Sequence, residues 1–135
     1  MALMEWNDSL DVKNAIINDQ HQQLLALING LHDAVIDGNG AEALGKTLKG
    51  LMDYTEYHFA AEESLMKTHD YPDAVAHMEQ HEKLINQVRG LLRKYDSGAP
   101  IMMINVLMFL RDWLMDHIHI IDKKFGDFLN TKGVI

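Results

Sequence analysis

Three features of this sequence predict an all-α fold: an up-down-up-down antiparallel four-helix bundle with an extended N-terminal arm. Four long segments carry apolar residues at three- and four-residue spacing, the turn residues fall between those segments, and no strand-like alternation occurs after residue 17. Residues 1–17 fit no period and read as the arm, packed along the bundle by Trp6 and Leu10; residues 18–135 are the bundle, and the whole is one domain. The first helix is expected over about residues 18–37, with Leu24, Leu25, Leu27, Ile28, Leu31 and Val35 as one wide stripe. Gly38-Asn39-Gly40 ends it, as glycine after the last periodic residue does. The second is expected over 41–68, with Leu44, Leu48, Leu51, Met52, Phe59, Leu65 and Met66 inward. Gly45 and Gly50 each weaken it by about 1 kcal/mol. Tyr71-Pro72 stops it, because the residue before proline is pushed out of the α region.

The third helix is expected over 73–95, with Val75, Met78, Leu84, Ile85, Val88, Leu91 and Leu92 inward. Residues 96–100 form the next turn, and the fourth helix is expected over 101–129. Short connections make sequential neighbours antiparallel.

Composition narrows the function. The 135 residues suit one domain with a real core. The absence of cysteine excludes disulfides, iron–sulfur clusters, zinc fingers and a cysteine nucleophile. With 12 basic and 20 acidic residues the net charge is −8, the wrong sign for nucleic acid or an anionic membrane. The N-terminus has neither the basic nor the apolar region of a secretory signal, and no apolar run reaches the roughly 20 residues of a membrane span. A cytoplasmic, monomeric protein is expected.

Eight histidines in so small an acidic chain demand an explanation. His58 and Glu62 lie four apart on the second helix, and His77 and His81 lie four apart on the third. Residues at i and i+4 share a helix face, so each pair aims two ligand atoms at one small volume. His21 on the first helix and His117 on the fourth sit among apolar residues, so all four helices offer an imidazole to the bundle axis. A single histidine on an apolar face is most often a core residue bonded to a carbonyl, and one such pair is weak evidence of metal. The combination is much stronger: several imidazoles buried together leave ring nitrogens unpaired at about 1–3 kcal/mol each, and a metal satisfies them. With Asp122, the candidates come to five imidazoles and two carboxylates, more than the four ligands of one tetrahedral zinc. Imidazole suits zinc, copper, iron and nickel, and carboxylates inside a bundle point to a di-iron centre.

Further matching pieces are Trp6, Asp19-Gln20-His21-Gln22-Gln23-Leu24, His58-Phe59 with Glu62-Glu63 and Met66, Tyr71-Pro72, and Trp113-Leu114 with His117-Ile118 and Asp122. In their order and spacing they resemble the hemerythrin family, in particular its single-domain bacterial members. The resemblance implies two iron ions (Fe2+/Fe3+) joined by an oxo or hydroxo bridge, with O2 as ligand. One iron would be held by His77, His81 and His117. The other would be held by His21 and His58, with a position left open, and Glu62 and Asp122 would bridge the pair. Geometry alone does not select Asp122: five residues are about 500° on a regular helix, about 140° away from His117. Asp116 and Glu63 are its rivals, and Asp122 requires either a carboxylate that bridges at the edge of the site or a local widening of the helix. Phe59, Trp113, Leu114, Met115 and Leu25 are candidates for the wall around the open iron. His32, His69 and His119 are expected to lie outside the site.

The expected function is reversible O2 binding for carriage, storage or delivery, with no catalytic residues and a reductase or other electron donor as partner. The alternatives are an O2 or redox sensing module, a di-iron enzyme consuming peroxide or NO, and an iron store.

Overall fold

A computed structural model describes residues 3–135, so the first two residues of the expected arm lie outside it. Four long helices and no strand are found among the described residues: α1 (Ala15–Ile36), α2 (Gly40–Thr68), α3 (Ala74–Asp96) and a fourth in three parts. That fourth helix runs without a break from α4 (Met103–Asp116) through a π-helical segment (His117–Asp122) into α5 (Lys123–Thr131). α1 packs on α2, α2 on α3, and α4 returns to α1, which closes a four-helix bundle. No helix among the described residues is long and apolar enough to cross a membrane.

The helix ends have local causes. α1 begins three residues earlier than its periodicity suggests, because the buried Asn14 caps it: its Oδ1 accepts the Ile17 N–H at 3.0 Å. At the other end Gly38 takes φ +82°, and the Gly38 and Asn39 N–H groups bond back to Val35 and Ala34. That arrangement satisfies carbonyls left over at a helix C-terminus. α2 ends the same way with Asp70, at φ +52°, in the left-handed position.

The arm lies along the bundle. Leu10 and Val12 are buried with Met4, whereas Trp6 is only half-buried. Asn29 on α1 pairs with the Met4 backbone through both amide atoms, at 2.9 and 2.8 Å. On α5 a Cβ at Gly126 would stand 2.1 Å from the Val12 carbonyl oxygen, so only glycine lets the arm approach this closely.

One expectation fails on α3. Val75 and Met78 are exposed rather than inward, at 73% and 42%. The buried stripe of α3 is His77, His81, Leu84 and Val88, so at this end of the bundle imidazoles replace aliphatic side chains.

Candidate metal centre

The bundle interior changes from apolar to polar over about one helical turn. α1 brings His21, α2 brings His58 and Glu62, α3 brings His77 and His81, and the π segment brings His117 and Asp122. All seven are at most 5% exposed. Their ligand atoms fall into two overlapping groups, each within 4.8 Å across: Glu62, His77, His81, His117 and Asp122; and His21, His58, Glu62 and Asp122.

The two carboxylates belong to both groups. Asp122 turns Oδ2 to His21 Nε2 at 2.9 Å and Oδ1 to His77 and His117 Nε2 at 3.0 and 3.2 Å. Glu62 Oε1 lies 3.1 Å from His81 Nε2 and 3.6 Å from the Nε2 atoms of His58 and His77. These separations are short, yet none of them is a hydrogen bond. The Nε2 atoms of His21, His77, His81 and His117 and all four carboxylate oxygens of Glu62 and Asp122 are buried without a hydrogen-bond partner. Eight such atoms at about 1–3 kcal/mol each approach the whole net stability of a domain, about 5–15 kcal/mol. Lone pairs converging on one dry volume are what a cation satisfies, so the residues present fit a metal.

The electrostatics follow from crowding opposite charges in a dry space. Burial holds His58 down at about 4, against the pull of Glu62. Burial also lowers His77, but its close contacts with Asp122 and Glu62 outweigh that and raise it to about 9. Burial and the Asp122 charge push Glu62 up; His58, His77 and His81 more than compensate and hold it at about 2. Asp122 is likewise driven up by burial and then well below the usual carboxylate range by His117, His21 and His77.

The π segment resolves the angular problem of Asp122. There the backbone bonds skip an additional residue, as the Lys123 N–H bonding to the Ile118 carbonyl shows. One turn then absorbs five residues instead of four, and Asp122 returns to the face of His117. The rivals stand elsewhere. Asp116 is exposed, and Glu63 lies outside both groups, where it accepts a hydrogen bond from His81 Nδ1 at 3.0 Å. The matching contact on the other side joins Gln20 Oε1 to His58 Nδ1 at 2.6 Å. Read from the sequence, Gln20 has no role of its own and Glu63 is only a rival to Asp122. The available signal was adjacency: each flanks a ligand position and reaches the imidazole of the next helix.

The remaining histidines are outside both groups. His32 and His69 are half-buried, and His119 points to the arm, with Nε2 3.1 Å from Ser9 Oγ. His69 closes α2 and is partly covered there.

Aromatic rings brace the imidazoles. Phe59 stacks on His81 at 3.6 Å and Trp113 on His117 at 4.4 Å between centroids. Behind these rings is a cavity of about 20 Å³ lined by Leu24, Leu51, Thr55, Phe59, Trp113 and Leu114, among others. That is space for about one water-sized molecule, and its walls are apolar but for Thr55. Of the five expected wall residues, Phe59, Trp113 and Leu114 line it; Leu25 is buried and Met115 half-buried away from it.

Comparison with known proteins agrees with this geometry. Residues 12–129 match the family model described as the hemerythrin HHE cation binding domain. The chain is 37% identical over 132 residues to a bacteriohemerythrin of Methylococcus capsulatus (Bath), covering 97% of this chain and 100% of the relative. It is 34% identical over 130 residues to a hemerythrin-like protein of Naegleria gruberi, covering 96% of this chain and 92% of that protein. A crystal structure of wild-type hemerythrin superposes with a TM-score of 0.86 at 35% identity, covering 93% of this chain and 97% of that one. A matched family region that spans all four helices, laid over a buried histidine–carboxylate cluster, establishes that this chain belongs to the hemerythrin family.

Proposed function

We propose that the protein binds O2 reversibly at a non-haem di-iron centre bridged by Glu62 and Asp122. In this reading His77, His81 and His117 hold one iron, and His21 and His58 hold the other. The observation that carries it is the unequal division of donors: three imidazoles on one side, two on the other, and two carboxylates shared between them. The side with two imidazoles is one ligand short, which leaves a position for a small exogenous molecule. A reduced iron pair, when bound, supplies two electrons to O2 and recovers them on release.

The chain's own contribution is to fix and to shield. Helix packing fixes the ligands, the π segment turns Asp122 inward, and the stacked Phe59 and Trp113 hold the planes of His81 and His117. The small apolar cavity beside those rings suits a diatomic gas better than a polar substrate. We read the chain's role as carriage, storage or delivery of O2 rather than catalysis. We read the protein as a cytoplasmic monomer re-reduced by a separate electron donor, with the metal pair joined by an oxo or hydroxo bridge.

The test is iron analysis with optical spectra of the purified protein after dithionite, after air and after evacuation. About two irons per chain and a band that appears with O2 and disappears under vacuum are expected. A chain that retains no iron, or that oxidises irreversibly at first contact with air, overturns the proposal.

A further inference from the structure

The two halves of the centre differ in what stands behind their imidazoles. On each side one ligand histidine has its outer ring nitrogen bonded to a side chain, and the two acceptors are of different chemistry. His58 Nδ1 meets the amide oxygen of Gln20, which is 5% exposed. His81 Nδ1 meets a carboxylate oxygen of Glu63, whose side chain is 30% exposed. The outer nitrogens of His21 and His77 are buried without a partner.

In both bonded histidines Nε2 faces the cluster, so Nδ1 carries the hydrogen and donates it. A carboxylate acceptor draws that proton more strongly than a neutral amide does, because bonds to charged acceptors are roughly twice as strong. The imidazole is then a more basic ligand at Nε2. Water reaches the outer face of Glu63, which floors a surface groove with Glu79, Glu82 and Met78, so its charge does not bear the cost of full burial.

We propose that Glu63 is a positioning residue that makes the three-histidine side of the centre the more electron-rich, while Gln20 orients His58 without adding charge. This inference rests on the di-iron reading above. Its consequence is a built-in inequality of the two metal positions: His81 favours the higher charge state of its ion, and the side with the vacant position stays the poorer donor set.

Glu63→Gln separates charge from hydrogen bonding, since the amide can still accept from His81 Nδ1. Three measurements on the full chain decide the matter: reduction potential by anaerobic titration, release of metal to a chelator, and nitrogen NMR of the imidazoles in the zinc-loaded protein. The variant is expected to keep two metals per chain and wild-type helicity. Its affinity is expected to fall by less than the about 10–100-fold that follows outright loss of an outer partner, because the hydrogen bond is kept and only its charge is removed. Its potential is expected to rise, by about 59 mV for each tenfold loss of preference for the oxidised ion. In the zinc form, the wild-type difference between the Nδ1 signals of His58 and His81 is expected to shrink. A purely structural hydrogen bond would be rescued by glutamine; unchanged potential and unchanged NMR signals therefore overturn the inference and leave the di-iron reading intact. A wild-type protein that binds no stoichiometric metal overturns both.

Discussion

Deleting Ile120 is expected to leave the metal centre in place, although removing one residue from a helix ordinarily destroys whatever lies beyond it. Ile120 is in the π segment and is 67% exposed, so no core side chain is lost. The deletion leaves four residues' advance between His117 and Asp122. On a regular α-helix four residues turn about 400°, which places Asp122 about 40° past His117, and they rise about 6 Å. The variant thus exchanges an i→i+5 turn for an i→i+4 turn and keeps both ligands on one face. Deleting Asp112, an exposed residue in the regular α4 segment, is the contrast. It rotates all that follows by about 100° and shifts it by about 1.5 Å. At a Cα radius of about 2.3 Å that is a displacement of about 3.8 Å, against a tolerance near 0.2 Å for metal–ligand distances. Iron per folded chain, measured by elemental analysis with circular dichroism as the control for folding, separates the two. Near-complete loading is expected for the Ile120 deletion and less than half for the Asp112 deletion. Equal loss from both would refute the claim that the π segment is one residue of slack that aims Asp122.

Other outcomes follow from single contacts. His58→Ala should weaken iron retention against a chelator by at least about 100-fold, since lost outer partners alone cost about 10–100-fold; His69→Ala, outside both groups, should not change it. Gly126→Ala places a Cβ against the Val12 carbonyl and should cost about 1–3 kcal/mol in urea denaturation, as overpacking does. Unchanged stability would mean that the arm is not seated on α5. The Asp11 carboxylate accepts the Lys13 N–H and an Asn18 amide hydrogen, each at 2.7 Å, which lowers its pKa below 3.8. Its contribution to holding the arm is therefore present above pH 3.8 and lost as pH falls through the lower folded value. An NMR titration midpoint at or above 3.8 would contradict this.

The helices were legible because each buries a stripe large enough for its spacing to show against the polar background. What escaped was carried by single polar contacts. Asn14 starts α1 by bonding the Ile17 N–H, an event with no hydrophobic signature. Val75 and Met78 read as inward by type, but on α3 the inward positions near the cluster are taken by His77 and His81. A buried histidine behaves as a core residue, so a scale that counts only aliphatic side chains puts the buried face in the wrong place. That His58 and Glu62, and His77 and His81, share a face is read directly, because on a regular helix four-residue spacing is itself a geometric statement.

His117 and Asp122 are the informative exception. Their spacing of five contradicts a regular helix, so either the aspartate is no ligand or the helix is not regular. The first alternative leaves His21 Nε2 and His117 Nε2 without the carboxylate that now lies 2.9 and 3.2 Å away. It also leaves the two groups sharing Glu62 alone. The chain takes the second: the helix widens over His117–Asp122 and Asp122 is brought into both groups. A carboxylate five residues after an inward histidine, in a helix opposite two i,i+4 ligand pairs, is therefore a sequence signal for a π turn. It can be read without a structure once the other helices have fixed where the ligands must meet.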